Sequence, residues 1–387
     1  MRVVISAVSS ARRPSGICRH AANLAIALSQ YSDVSLTLLV GDWQLGYFQD
    51  AFGLPAVACD IVPIAIAANA VARNFWYYLR LPEIAQHYRA DLVHLSFPAP
   101  LRRSQFQCPI VLSLHDLYPY DAPRNFGYSR VLFNRAFLRQ SLRASDAIVC
   151  SSRFTLDRLR HYAGQAAMQK AMHIYQSVTL DSSADAAPAA LHHLRQPFLL
   201  AVAQHRRNKN LDLLLAAFGR FRQQASKQEF RLVIVGSPGP ETTALHAMVK
   251  RLSLQQHVVF LSELSDKELC FLYRKCELMI VPSSIEGFCF PLVEAVRCGS
   301  RVLCSDIPVL REIGESRCDY FPLQPRNPAA LAAAIEAALL KPPPPPHISD
   351  RFRPDKIACQ YLALYSTLLA GGRQSAFPPQ LCHESVS

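Results

Sequence analysis

Two successive cycles of short β-branched strands alternating with amphipathic helices predict an α/β protein built from two Rossmann-like, doubly wound domains. Length agrees: 387 residues are too many for one typical core and point to two domains. Composition agrees as well, since half the residues are hydrophobic and only 18% are charged, which describes a chain able to fill large cores.

The first cycle starts at "RVVISAV" (2 to 8). A helix follows around 17 to 30, then a strand at 34 to 40, a helix around 73 to 88, strands at 91 to 96 and 110 to 115, a long helix around 127 to 144 and a strand at 147 to 152. These elements make an N-terminal domain over residues 1 to 180. Residues 181 to 196, rich in Ala, Ser and Asp with little periodicity, read as the linker.

The second cycle opens with "PFLLAVAQ" (197 to 204) and a helix from Asn210. It continues with strands at 231 to 237, 258 to 263, 278 to 283 and 301 to 306, alternating with helices at 241 to 252, 266 to 275 and 291 to 298. Residues 197 to 350 thus form a C-terminal domain. "KPPPPP" (341 to 346) can be neither helix nor central strand. The apolar pattern at 351 to 370 predicts a helix that straps back towards the N-terminal domain, and the polar tail 371 to 387 is expected to be disordered.

The opening segment reads as a first strand rather than a signal peptide. No window approaches the ~18 apolar residues of a spanning helix. The 12 cysteines form no CxxC pair, so reduced, buried thiols in a cytoplasmic protein are expected. The net charge is +12, with 18 Lys and Arg against 11 Asp and Glu over residues 1 to 182. Arg73, Arg80, Arg130, Arg135, Arg139 and Arg143 are interleaved there with Phe, Trp, Tyr and Leu. That mixture suits a solvated basic face, an anionic membrane surface or nucleic acid.

In doubly wound sheets, ligands bind beyond the carboxyl ends of strands. Gly16 falls at such a loop-to-helix junction, where free N–H groups favour an anion. Neither GxGxxG nor a P-loop occurs, which counts against an NAD, FAD or P-loop enzyme. His115, followed by Asp116, ends another strand. After "PFLLAVAQ" come Arg206, Arg207 and Lys209, three cations before a helix whose N-cap is assigned to Asn210 and whose first turn holds Asp212. They form a candidate diphosphate clamp. In "EGFCFPLVE" (286 to 294), Pro291 suits the first helical position, Gly299 the C′ position, and Glu294 the first turn. Glu294 could complement the helix dipole or accept two ribose hydroxyls. Gly287, beside Phe288, lets backbone approach a phosphate or sugar, and Glu286 could accept the hydroxyls of a second ring.

These segments resemble the family 4 retaining glycosyltransferases of the GT-B fold, some of which are mannosyltransferases. "EGFCFPLVE" is similar to that family's motif of two glutamates separated by seven residues. "SGICRHAANLAIAL", "VLSLHDL", "SDAIVCSSRFTLDRL", "NKNLDLLLAAF" and "VVFLSELSDKELCFLYRKCELMIVPS" resemble further family segments in the family's order. The resemblance implies that the two domains face each other across a cleft, the N-terminal one on the acceptor side and the C-terminal one binding the nucleotide-sugar, and that the protein is a metal-independent transferase needing no cofactor beyond its donor, either GDP-mannose or a UDP-sugar. It implies that Glu294 binds the ribose, Glu286 the transferred sugar, and Arg206 or Arg207 with Lys209 the departing diphosphate. Gly16, Gly287 and Phe288 complete the donor set, and His115 sits near the reacting sugar. The family's second motif glycine is Cys289 here.

The expected function is transfer of a sugar to a glycan or lipid-linked acceptor in polysaccharide or lipopolysaccharide biosynthesis. The protein is expected in the cytoplasm, peripheral on the inner face of an anionic membrane, with no nucleic-acid partner. Two alternatives stand beside this: a GT-B nucleotide-sugar epimerase, and a non-catalytic basic binding protein.

Overall fold

The computed structural model describes residues 1–10, 15–50, 52, 54, 59–121, 123, 128–180, 186–191, 196–224, 227–342, 344–347 and 349–371. Of Tyr128, Ser129 and Arg130 it describes only the backbone. Most of the linker segment 181–196 and nearly all of the tail 371–387 therefore lie outside the described residues. The chain divides into two compact units, one of residues 1–177 with the segment from Pro354 onward, the other of residues 178–353.

In the first unit the order is β1 (Arg2–Ser6), α1 (Gly16–Leu28), β2 (Ser35–Gly41), α2 (Leu45–Asp50), β3 (Asp60–Ile64), α3 (Ala70–Leu79), α4 (Leu81–His87), β4 (Leu92–Leu95), β5 (Ile110–Leu114), α5 (Tyr118–Asp121), α6 (Tyr128–Ala144), β6 (Ala147–Cys150), α7 (Arg153–Tyr162), α8 (Gln165–Met168) and β7 (Ala171–His173). The seven strands form one parallel sheet ordered β3-β2-β1-β4-β5-β6-β7. Ile5, Leu38, Leu112 and Ile148 are wholly buried within it. Central strands of a parallel sheet are covered on both faces, which is why they read in sequence as continuous apolar runs.

The second unit runs β8 (Phe198–Val202), α9 (Leu211–Phe221), β9 (Arg231–Val235), α10 (Thr242–Arg251), β10 (Val258–Leu261), α11 (Asp266–Lys275), β11 (Leu278–Val281), α12 (Phe290–Arg297), β12 (Val302–Ser305), α13 (Pro308–Gly314), β13 (Asp319–Phe321) and α14 (Pro328–Leu339). Its parallel sheet is ordered β10-β9-β8-β11-β12-β13. Successive strands run outward from β8 through β9 to β10, then resume on its other side at β11. The strand order therefore reverses between β8 and β11, and a doubly wound sheet opens its ligand crevice at that switch point. The last helix, α15 (Pro354–Leu369), packs on α1 in the first unit. Tyr361 and Tyr365 are buried there, and the Tyr365 hydroxyl lies 2.5 Å from His94 Nδ1.

One helix and three strands differ from expectation. The helix expected over 73 to 88 is two helices, α3 and α4, because Pro82 lacks an N–H and is accommodated in the first turn of a new helix. Strands β3, β7 and β13 were not expected. They are short sheet-edge or near-edge strands, and β3 contains Pro63, which the edge of a sheet tolerates. The proline run has neither helix nor strand at its described positions. It passes the end of α12, where the His347 N–H donates to the Val296 carbonyl. A Cβ on Gly299, which has φ +81°, would lie 3.0 Å from Pro346.

Candidate active site

The loops that leave β8 and β11 are bonded to each other across the switch point. Asn208 Nδ2 donates to the Ile285 carbonyl at 3.1 Å. Asn210 Nδ2 donates to the Pro282 carbonyl at 2.8 Å, and the Ser284 N–H returns to the Asn208 carbonyl at 2.8 Å. Between the two asparagines, Lys209 Nζ meets Glu286 Oε1 at 2.5 Å, both side chains mostly buried. Burial alone would push the Lys209 ammonium down. The Glu286 carboxylate more than offsets that and holds the Lys209 pKa above the ordinary lysine value.

Asn210 does not cap α9 with its side chain, as its residue type predicts. It adopts φ +48° and makes no side-chain capping bond, because its amide is committed to the neighbouring loop. Asparagine tolerates that left-handed conformation better than most residues. Arg326 pairs with both oxygens of Asp212 at the start of α9.

Glu294 is not in the first turn of α12. The helix begins at Phe290, with Pro291 at its second position, so Glu294 lies one turn further in. It is 3% exposed, and its Oε2 accepts a 2.8 Å hydrogen bond from the Tyr273 hydroxyl on α11. Burial, then the adjoining Glu294 charge, drives the Tyr273 pKa well above the ordinary phenol value, so the phenol remains a proton donor. Cys289 is buried at the N-cap position of α12 with φ +79° and ψ +74°. That conformation favours glycine, the residue the family pattern carries here. Phe288 is buried against Phe290 and Phe352 at ring separations of 5.3 and 5.4 Å.

A third loop, after β9, supports the first. A Cβ on Gly236 would lie 1.9 Å from the Ala203 carbonyl oxygen, and one on Gly239 would lie 2.5 Å from that of His205. His205 is buried, with Nδ1 at 2.9 Å from Thr242 Oγ1. Thr242 Oγ1 also accepts from the Gly239 N–H at 2.8 Å, which ties the start of α10 to the same loop. Burial and the neighbouring His246 hold the His205 pKa down.

The structure thus brings Lys209, Glu286, Gly287, Phe288 and Glu294 together on two adjoining loops and the helix they feed. Arg206 and Arg207 flank this group with exposed side chains, which make no hydrogen bond or ion pair among the described residues. Chemically, the group offers cations for phosphate oxygens and carboxylates for hydroxyls, with glycine allowing close backbone approach.

Gly16 and His115 belong to the first unit. Gly16 is the first residue of α1, and the Cys18 N–H donates to the side chain of the N-cap, Ser15. Residues 11–14 of the preceding loop lie outside the described set. His115 follows β5 and donates from Nε2 to the Ser96 carbonyl at 2.7 Å, leaving the lone pair on Nδ1. Burial holds its pKa down against the opposing pull of Ser96 and Asp116. Its ring meets that of His20 edge-on at 4.7 Å. His20 and His94 both place Nε2 on Ser113 Oγ, at 2.9 and 2.8 Å.

Sequence reasoning passed over Tyr273, Asn208, Gly236 and Gly239. The asparagines flanking Lys209 carried a usable signal, since "NKN" beyond a strand supplies two amides able to bond a neighbouring loop. Tyr273 carried none, because its partner is brought to it only by the packing of α11 on α12.

Among the described residues, no group of three or more His, Cys, Asp or Glu side chains is placed to hold a metal ion. A family model described as Glycosyltransferase Family 4 matches residues 14–182, and one described as Glycosyl transferases group 1 matches residues 185–353. The chain is 24% identical over 303 residues to O-antigen chain mannosyltransferase RfbU of Salmonella typhimurium, covering 77% of this chain and 80% of that one. It is 25% identical over 208 residues to O-antigen chain mannosyltransferase B of Escherichia coli, covering 52% of this chain and 54% of that one. The match thus spans about half the length of the second relative. In fold it is similar to sucrose-phosphate synthase from Thermosynechococcus elongatus, with a TM-score of 0.72 at 18% identity over 96% of this chain and 100% of that one.

Proposed function

Because the chain belongs to the family 4, group 1 glycosyltransferases of the GT-B fold, we propose that it transfers a sugar from a nucleotide-sugar to a glycan or lipid-linked acceptor. The pathway is polysaccharide or lipopolysaccharide biosynthesis, and the donor is GDP-mannose or a UDP-sugar. Two O-antigen mannosyltransferases among its relatives support mannose. The observation that carries the reading is the 2.5 Å contact between Lys209 and Glu286 at the switch point, with Glu294 buried on α12, the helix that the Glu286 loop feeds.

In this reading Glu294 accepts the ribose hydroxyls and Glu286 those of the transferred sugar. Gly287 and Phe288 shape the donor pocket, and Gly16 and His115 keep the roles their sequence positions assign. As the bond from the anomeric carbon to phosphate breaks, negative charge grows on the departing nucleoside diphosphate. Lys209, Arg206 and Arg207 stabilise that charge, which is the largest service such a site can give. Three cations in one loop support a metal-independent reaction. The acceptor oxygen attacks the face the diphosphate leaves and passes its proton to the leaving oxygen, so the anomeric configuration is retained.

The test is a thermal-shift panel of UDP-, GDP- and ADP-sugars on wild type and Glu294→Ala. At 100 times its dissociation constant a donor stabilises the fold by about 2.7 kcal/mol. A shift with one nucleotide class that the variant loses supports the reading and names the donor. NMR of the product's anomeric proton and turnover in EDTA then test retention and metal independence. Turnover of the donor without any acceptor would instead favour an epimerase.

A further inference from the structure

Helices α11 and α12 meet at two polar contacts that lie about one turn apart on each helix. At one, the Tyr273 hydroxyl donates to Glu294 Oε2 at 2.8 Å. At the other, Cys270, three residues before Tyr273, donates its thiol proton to the sulfur of Cys298, four residues after Glu294. Just past α12, Ser300 Oγ donates to the Tyr273 carbonyl at 2.6 Å. The end of α12 is thus held against α11 around the thiol pair.

The two thiols are not equivalent. Cys270 is wholly buried on α11, while Cys298 is half-buried at the C-cap of α12, within reach of a small solute. The proton donated by Cys270, then the Arg274 and Arg297 guanidiniums, hold the Cys298 pKa below the ordinary thiol value against burial and the Glu294 charge. Cys270 is raised, first by giving that bond and then by burial. Burial pushes Cys59, Cys150, Cys276 and Cys289 up instead. A partly exposed thiol that ionises easily is the nucleophile of thiol chemistry, and a protonated thiol in contact with it is placed to close a disulfide.

We propose that Cys298 is an oxidation site for a peroxide, with Cys270 as its resolving thiol, and that the resulting disulfide weakens the hold of Tyr273 on Glu294. The Cys298 thiolate attacks one peroxide oxygen. The S–O bond forms as the O–O bond breaks, and the departing oxygen takes a proton and leaves as water or an alcohol. Cys270 then attacks the sulfenic sulfur: the S–S bond forms, the S–O bond breaks, and the expelled hydroxide leaves as water with the Cys270 proton. The two thiols give up two electrons and the peroxide takes them; a dithiol reductant reverses the change. The new bond holds the sulfurs about 2.05 Å apart, far closer than a hydrogen bond between them. Helices α11 and α12 therefore shift where they touch, and the contact of Tyr273 with Glu294 one turn away changes with them. The oxidation stands apart from the glycosyltransferase reading, whereas its effect on donor binding rests on that reading.

The reduced full chain is treated with an equimolar amount of hydrogen peroxide, blocked with N-ethylmaleimide and digested with trypsin. The expected product joins peptide 268–274 to peptide 298–301, with two of the 12 thiols lost and both recovered in dithiothreitol. In Cys270→Ala the sulfenic acid has no resolving thiol, so dimedone should label peptide 298–301. Cys298→Ser should leave Cys270 unmodified. Oxidised wild type should bind its nucleotide-sugar at least about tenfold more weakly than reduced wild type, the least that one hydrogen bond to a charged group contributes. Dithiothreitol should restore that binding, and Cys298→Ser should bind equally with and without peroxide. A link formed elsewhere first, such as between the touching thiols of Cys304 and Cys318, overturns the proposal, as does a chain whose thiols all stay free. So does a mapped link between Cys270 and Cys298 that leaves donor affinity unchanged. Reduced protein that binds no nucleotide-sugar counts against the donor reading alone, and the disulfide map with a dithiothreitol-reversible change in Tm then decides the proposal.

Discussion

Tyr273 on α11 gives its phenol proton to Glu294 on α12 at 2.8 Å, with both side chains almost wholly excluded from water. A buried carboxylate has to be hydrogen-bonded to remain charged, so the phenol fixes the orientation of the acid proposed to hold the donor's ribose. Tyr273→Phe keeps the ring and removes the proton. Hydrogen bonds to charged groups contribute about 1.5–3 kcal/mol, and the variant should lose stability in that range by urea unfolding. Its KM for the donor should rise more than its kcat falls, because the change acts on donor binding.

Lys209 and Glu286 are close enough to be one electrostatic unit. Removing one member of a buried pair leaves the other charged and unsatisfied, at a cost of about 3–5 kcal/mol when burial is complete; here partial exposure of Lys209 reduces it. Glu286→Gln should therefore destabilise the fold by roughly 1–3 kcal/mol and cut turnover. The folded-state pKa of Lys209 is raised, so the pair's stabilisation is fully present below the unfolded value of about 10.4. It disappears as pH climbs through the folded value. Unfolding midpoints of wild type and Lys209→Met should converge only at that alkaline end.

Cys289 holds a conformation that L side chains enter reluctantly, at about 1–3 kcal/mol for such a residue. Cys289→Gly should relieve that strain, partly offset by the lost thiol packing, and leave Tm unchanged or higher. Cys289→Val should lower Tm clearly, since a β-branched side chain fits this region worst. Calorimetry of the three proteins distinguishes strain from packing, because packing alone would favour valine over glycine.

The β9 loop is held by contact with backbone. Gly236→Ala would bring a methyl against the Ala203 carbonyl, at a built distance of 1.9 Å, and the loop carrying Arg206, Arg207 and Lys209 would have to move. Nucleotide-sugar binding should weaken by more than the Tm does in Gly236→Ala, whereas Gly219→Ala should spare both. Gly219 lies on α9 with only a Leu254 side-chain carbon nearby, at 3.8 Å from a built Cβ.

How far the sequence could be read follows from where each residue's partner lies. Central strands such as Leu199–Ala201 and Met279–Val281 are apolar because both faces of their sheet are covered, and the pattern is visible locally. Strand β3, with Pro63 and partial exposure, has no such pattern. The spacing of Glu286 and Glu294 is visible, but the burial of Glu294 depends on Tyr273, which reaches it from another helix. Asn210 shows the opposite case. Its residue type fits a helix cap, yet a carbonyl 72 positions along the chain takes its amide instead.

His20, His94 and His115 are held around Ser113 and Ser96, and all three titrate below the ordinary histidine value. Burial is the first cause for each, and for His20 and His94 the neighbouring histidines add to it. The His94 value falls to about 3. The charged and titratable groups that face this cluster are Tyr361 and Tyr365 from α15 and Asp116 after β5. A depressed histidine stays neutral in the folded state, while the unfolded chain takes up a proton below pH about 6.5. The unfolded state therefore binds more protons on acidification, and stability falls as pH drops through 6.5 towards the folded values. Each histidine contributes up to about 1.4 kcal/mol per pH unit across that window. Tm measured from pH 7 to pH 5 should fall steeply in the wild type. His94→Asn should begin from a lower Tm and show a shallower slope, since one of the three titrating groups is gone. A slope unchanged in that variant would mean that the carboxylates, and not the histidine cluster, govern the acid side of the stability curve.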